Sequence, residues 1–283
     1  FADVIPGPGT AFLNLSKAVN GCMRNSLQAW GIPDAKSLAQ KATKRAADGL
    51  IAPITDITPD KVYLFSGRSD RTVDPSIVTA ARDFYRGVGV TPTNIKLVTD
   101  KDAGHAFVTE TKGGTCETSA PPFIVDCDYD QAGALLQHIY GTLNPRSEKP
   151  SGEFRRFDQT VFTKGLGDHG MAVTGAVYIP SSCSNETCRL HIAYHGCAQN
   201  RLTVGGRFVE EAGFARWADT NRLIVLFPQT TSSPVNPQGC WDWWGFTSND
   251  YLTRKAPQII AVHRMLQHLA KARPSPPNQA VTN

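Results

Sequence analysis

Asp70 and His105 are the residues whose types and settings point most directly to chemistry. Asp70 lies in "FSGRSDRTVDP" (65–75), where a hydrophobic run ends in a tight turn and a helix start follows. An acid at the C-terminal end of a buried strand stands where open α/β sheets keep functional groups. His105 lies in "TDKDAGHAF" (99–107), on a loop behind the next hydrophobic run. Each alone has an ordinary reading: a turn or cap aspartate, and a surface histidine. Together, behind successive strands, they have the order of the acid and histidine in a hydrolase triad, which runs Ser, Asp, His. His105 would act as general base and acid. Asp70 would orient it and stabilise the imidazolium.

Two further stretches carry possible parts of such a site. "YHGCAQN" (194–200) is a strand end followed by a His-Gly turn, and the Cys197 amide is positioned to serve as an oxyanion donor. A bond from Cys197 to Cys240 would make that loop rigid. "GCWDWWGF" (239–246) sets Trp241, Trp243 and Trp244 between glycines. Three exposed tryptophans are a costly surface unless they face a ligand or pack down. An apolar polymer or an acyl group is the natural ligand; the competing reading packs at least two of them in the core. The nucleophile is missing. No G-x-S-x-G occurs in the chain, and Ser69 in "GRSDR" lacks the second glycine and adjoins Asp70 itself.

The elements that must position these residues alternate between strand and helix. Strands are expected at 60–65, 94–99, 171–180, 188–196 and 222–229, the third alternating as if half-exposed and the fourth ending at Gly196. Helices are expected at 75–85, capped by Asp74 with Pro75 at its first position, and at 129–143, 206–220 and 256–271. The last would bury Ile259, Ile260, Val262, Leu266 and Leu269. This alternation predicts an α/β fold with a mostly parallel sheet and right-handed crossovers. "FADVIPG" at the start reads as a core strand, which favours a fragment over a mature secreted chain. Residues 145–156, rich in Pro, Gly and charge, are a domain linker or an internal connector. The expected organisation is one domain over 1–272 with a disordered tail over 273–283.

Composition bounds the alternatives. The 283 residues are 41% hydrophobic and 19% charged, enough for one large α/β domain or two small ones. A net charge of +4 without a dense Lys/Arg stripe argues against a nucleic-acid partner. No apolar run approaches the roughly 18 residues of a membrane span. Of the seven cysteines, Cys183 and Cys188 flank one short loop and Cys116 and Cys127 another, while Cys197 and Cys240 could staple two loops. Close local pairs suggest disulfides and an oxidising compartment. No C-x-x-C spacing or Cys/His clustering suggests a metal. Cys22 is the odd one out. Asn14 and Asn185 head glycosylation sequons.

The stretches "SGRSDRTV", "GHAF", "YHGCAQ", "FPQT" and "NPQGCWDWWG", in this order, resemble extracellular poly(3-hydroxybutyrate) depolymerases of the single-domain fungal type and their bacterial esterase relatives. The resemblance runs from about Val4 to Lys271. It implies a circularly permuted α/β-hydrolase whose nucleophile elbow lies near the N-terminus, so that the strands usually first come last. It implies Asp70 as triad acid, His105 as triad base, Cys197 as oxyanion amide and the Trp241–Trp244 loop as part of a substrate crevice. It implies disulfides 116–127, 183–188 and 197–240, a secreted or periplasmic monomer, a polyester or ester substrate, and no metal or organic cofactor, nucleic acid or membrane. Two departures stand out. The family's Gly-Leu-Ser-Ser-Gly elbow is absent, which puts the serine outside this chain. "PGPGTAFL" also replaces the family's "AGGPYYC", leaving Cys22 without its partner. The leading expectation is a carboxylic-ester hydrolase. The alternatives are a non-catalytic pseudoenzyme that binds an apolar polymer or ester, and an esterase for feruloyl or other small esters.

Overall fold

Residues 10–184 and 186–271 are described in the structure, a computed structural model. The strand expected at 1–7 and the tail from 273 lie outside them, as does Asn185. The chain opens with two helical regions for which the sequence reading had no element: α1 (Ala11–Lys17), continued by a π-helical segment over Ala18–Met23, and α2 (Ala35–Ala47), capped by the Asp34 carboxylate. Then follow β1 (Val62–Phe65), α3 (Pro75–Gly87), β2 (Ile95–Val98), β3 (Phe107–Thr109), β4 (Gly114–Thr115), β5 (Ile124–Asp126) and α4 (Gln131–Tyr140). The second half holds β6 (Glu153–Asp158), α5 (Thr160–Thr163), β7 (Thr174–Ile179), β8 (Arg189–Ile192), α6 (Arg201–Val204), α7 (Arg207–Glu211), α8 (Phe214–Asn221), β9 (Leu223–Phe227) and α9 (Pro257–Lys271). As expected, Asp74 caps α3: its Oδ1 accepts the Ser76 amide at 2.9 Å, ahead of Pro75 in the first turn.

The strands form three sheets rather than one. β1 and β2 pair in parallel, β5 lies between β3 and β4 with parallel pairs on both sides, and the third sheet runs β6-β7-β9-β8. In that third sheet β8 and β9 are parallel while β6–β7 and β7–β9 are antiparallel. Among the described residues β1 and β8 are each edge strands. Helix α4 reaches both: the His138 ring lies against Tyr63 on β1 with centroids 6.5 Å apart, and the Tyr140 hydroxyl lies 3.2 Å from His191 Nδ1 on β8.

Four expectations are corrected, and one of the two readings of 145–156 is excluded. β7 is not half-exposed: Gly175 to Tyr178 are all buried. The strand is interior, and both faces are covered. Ala176 and Tyr178 pack with Phe214, Ala218 and Phe227, while Val177 packs with Ala261, Val262 and Met265 of α9. The helix expected over 206–220 breaks in two at Gly213, whose φ of +88° suits only glycine well. On α9 the buried stripe is Gln258, Ala261, Val262 and Met265, so Ile259 is left outside, half exposed. Residues 145–156 are not a domain linker, because Glu153–Asp158 pairs along its length with β7. β8 also stops at Ile192, short of Gly196.

Three disulfides close, Cys116–Cys127, Cys183–Cys188 and Cys197–Cys240, and Cys22 is a free thiol. Asn14 is buried, so its sequon is closed to a glycan in this fold.

Candidate active site

The loops behind β1 and β2 are zipped together by backbone hydrogen bonds. The Ser66 amide donates to Val98 O, Arg68 to Lys101 O and Ser69 to Ala103 O. This extends the β1–β2 pairing past the strand ends and brings Asp70 to the loop that carries His105. Asp70 Oδ2 lies 2.9 Å from His105 Nδ1. The other oxygen, Oδ1, accepts the amides of Thr72 and Val73 at 2.8 and 2.9 Å. Burial by itself would raise the Asp70 carboxyl, but bonds from His105, Val73 and Thr72 outweigh it and hold the group below its usual range. The aspartate side chain is 11% exposed and the histidine 41%, so the acid sits inside with the imidazole outside it. That is the arrangement of an orienting carboxylate and a proton-transferring ring.

His105 is held from behind by the β4–β5 region. Its amide donates to Ser119 Oγ at 2.7 Å, and the Gly104 amide donates to Cys116 O at 2.9 Å, beside the Cys116–Cys127 bridge. A Cβ on Gly104 would stand 2.5 Å from Glu117 O and 2.6 Å from Thr118 O, so only glycine allows this approach. Among the described residues no hydrogen bond reaches His105 Nε2, the atom that would face a nucleophile.

The corner at 194–200 is built on a buried histidine. The Thr230 amide donates to His195 Nε2 at 3.2 Å, so the ring proton sits on Nδ1 and donates to Gly196 O at 2.7 Å. Burial pushes this imidazole down to about 4, and it is neutral at pH 7. Its own carbonyl accepts the Trp241 indole N–H at 3.0 Å. The Gly196 amide goes to Gln199 Oε1 and the Ala198 amide to Gln238 O. Among the described residues that leaves the Cys197 N–H, pinned by the disulfide to Cys240, without an acceptor. The corner and the histidine loop are joined by one side chain: Gln199 Nε2 donates to Pro122 O and Phe123 O, and the Phe123 ring stands edge-on to His105 at 6.5 Å.

The tryptophan loop divides. Trp241 stacks edge-on to the half-exposed Tyr194, and both line a cavity of about 330 Å³ with Tyr251, Ile259 and Val262. Trp244 is 5% exposed and packs against Trp243 and Phe246. Asp242 shapes the loop by accepting the amides of Trp244, Gly245, Phe246 and Thr247.

Sequence reasoning missed the buried polar residues that hold the corner: His195 as a hinge, Gln199, Thr230 and Asn236. Asn236 Nδ2 donates to Cys240 O, and its Oδ1 accepts the Cys240 amide. The available signal was placement, since His195 and Thr230 closely follow the strands 189–192 and 223–227. Among the described residues no group of His, Cys, Asp and Glu is arranged to hold a metal, and no helix is long and apolar enough to cross a membrane.

An α/β scaffold with a buried aspartate on the Nδ1 of a histidine, both behind parallel strands, has the design of α/β-hydrolase-like proteins. No protein-family model matches the chain. Relatives do. A poly(3-hydroxybutyrate) depolymerase of Delftia acidovorans is 38% identical over 274 residues, 95% of this chain and 54% of the relative. A polyhydroxybutyrate depolymerase of Talaromyces funiculosus is 37% identical over 213 residues, 69% of this chain and 62% of the relative. The chain thus spans about half the length of the first relative and under two thirds of the second. Among solved structures, a PHB depolymerase with a serine-to-alanine substitution, complexed with an R3HB trimer, superposes with a TM-score of 0.80 at 32% identity. That match covers 88% of this chain and 80% of the other. The PHB depolymerase from Penicillium funiculosum gives 0.80 at 31% identity with the same coverage. The chain belongs to the poly(3-hydroxybutyrate) depolymerase family.

Proposed function

We propose that the chain is the greater part of a secreted carboxylic-ester hydrolase that cleaves a polyester of 3-hydroxybutyrate type. The observation that carries this reading is the Asp70–His105 contact of 2.9 Å, with the second aspartate oxygen taken up by two amides. A serine deprotonated by His105 Nε2 would attack the ester carbonyl. The Cys197 amide would bind the oxyanion, and water would then hydrolyse the acyl-enzyme. The R3HB trimer bound by one relative supports a 3-hydroxybutyrate chain as substrate. Three disulfides support an extracellular or periplasmic setting.

In this reading the serine comes from a segment outside these 283 residues. β1 and β8 are edge strands among the described residues, and α4 touches both, which is compatible with a further strand of the full gene product pairing there. A second reading, a non-catalytic binder of the same esters, is favoured by the lack of any G-x-S-x-G. Hydrolysis of soluble 3-hydroxybutyrate oligomers by the full gene product separates the two. Catalysis that falls about 10²–10⁴-fold in His105→Ala supports the enzyme. Absence of hydrolysis with retained oligomer binding supports the binder, and undiminished hydrolysis in His105→Ala removes the proposed site.

A further inference from the structure

The Gln199 side chain uses every hydrogen-bonding group it has, and it uses them on two different loops. Oε1 accepts the Gly196 amide at 2.8 Å; Nε2 donates to Pro122 O at 3.0 Å and Phe123 O at 2.9 Å. The orientation of the amide is fixed by its partners, since one N–H needs an acceptor and two carbonyls need donors. The residue is 5% exposed, so water is a poor substitute. On one side it decides which amide of the corner is free. With the Gly196 N–H drawn inwards and the Ala198 N–H held by Gln238 O, the Cys197 N–H between them has no acceptor among the described residues. On the other side it holds the carbonyl of Phe123, which also accepts the Phe107 amide at 2.8 Å and whose ring abuts His105.

We propose that Gln199 is a positioning residue that sets the Cys197 amide and the His105 ring at a fixed separation, coupling the oxyanion donor to the proton-transferring group. The proposal rests on the ester-hydrolase reading for its kinetic consequence but not for its geometry. Because an error of about 1 Å in such a constellation can cost about 100-fold in rate, a residue that touches neither substrate nor proton carries a large share of kcat.

Two variants of the full gene product test it. Gln199→Leu removes all three bonds. Gln199→Glu keeps an acceptor for Gly196 but sets a carboxylate oxygen against two carbonyls. In both, kcat on soluble 3-hydroxybutyrate oligomers falls about 100-fold with KM changed less than threefold, at a temperature where thermal unfolding shows both to be folded. By NMR, the His105 ring signals move in both variants, whereas Gly196 amide exchange speeds up only in Gln199→Leu. A folded Gln199→Leu with kcat within threefold of the parent overturns the proposal. If the parent hydrolyses nothing, the functional reading fails by itself and the coupling is judged on NMR alone. His105 signals that move in Gln199→Leu uphold it, and unchanged His105 signals overturn it.

Discussion

The two halves of the candidate site are held by different means. The Asp70–His105 half depends on main chain: loops zipped by backbone bonds, a glycine in contact with two carbonyls, and two amides on one carboxylate. The corner at Tyr194–Asn200 depends on side chains: buried His195 and Gln199 bond backbone groups of distant segments, while buried Asn236 and half-buried Asp242 satisfy amides of their own loop. A main-chain site tolerates little change in shape. A side-chain network tolerates shape changes better but fails when one partner is left unpaired, because a buried group without a partner costs about 1–3 kcal/mol.

The contrast can be broken most sharply at Gly104. Gly104→Ala drives a Cβ onto the carbonyls of Glu117 and Thr118, and we expect oligomer hydrolysis to fall about 100-fold as His105 is displaced. Full activity there would mean that the loop yields easily. Replacing Cys197 and Cys240 with serine together should lower unfolding free energy in denaturant titrations by about 2–4 kcal/mol, because a bridge closing a loop of 43 residues restrains the unfolded chain. Asp242→Asn should cost about 1–3 kcal/mol in the same titration, since one amide oxygen cannot serve all the donors on the carboxylate.

Acid sharpens the comparison further. Burial lowers His195 from 6.5 to about 4, so between those values the unfolded chain binds protons that the folded chain refuses. Stability therefore falls as pH drops from about 6.5 towards 4. His191, lowered to about 4 by burial, adds to the same slope. The Asp70 carboxyl is depressed, so its contribution is present above the ordinary carboxylate value and is lost only as pH falls below it. Denaturant titrations between pH 7 and pH 3 should show the histidine loss first. His191→Phe, which fits among Tyr140 and Phe214, should flatten the upper part.

Much of this was legible before any coordinates. Strands such as 62–65 and 223–227 and the capped helix from Pro75 announce themselves through short apolar runs and an Asp-Pro start, because local chemistry decides them. Asp70 and His105 could be paired because they follow successive strands in the order of a triad acid and histidine, although each alone reads as an ordinary turn acid or surface histidine. Gln199 and Thr230 were not, because their partners at 122–123 and 195 come from distant segments that only the tertiary fold brings together. The buried state of β7 was hidden for a related reason: Thr174, Gly175 and Ala176 read as weakly polar or small, yet two layers of helix cover them. β6 was hidden because "EFRRFD" at the sheet edge is mostly exposed and carries little apolar signal.

The most direct test of the central claim is intact-mass analysis after treatment with a fluorophosphonate ester, run on the 283-residue chain, on the full gene product and on its His105→Ala variant. The account predicts a single adduct on the full gene product, lost in His105→Ala, and none on the 283-residue chain. An adduct on a serine within these 283 residues, or one that survives His105→Ala, would contradict it.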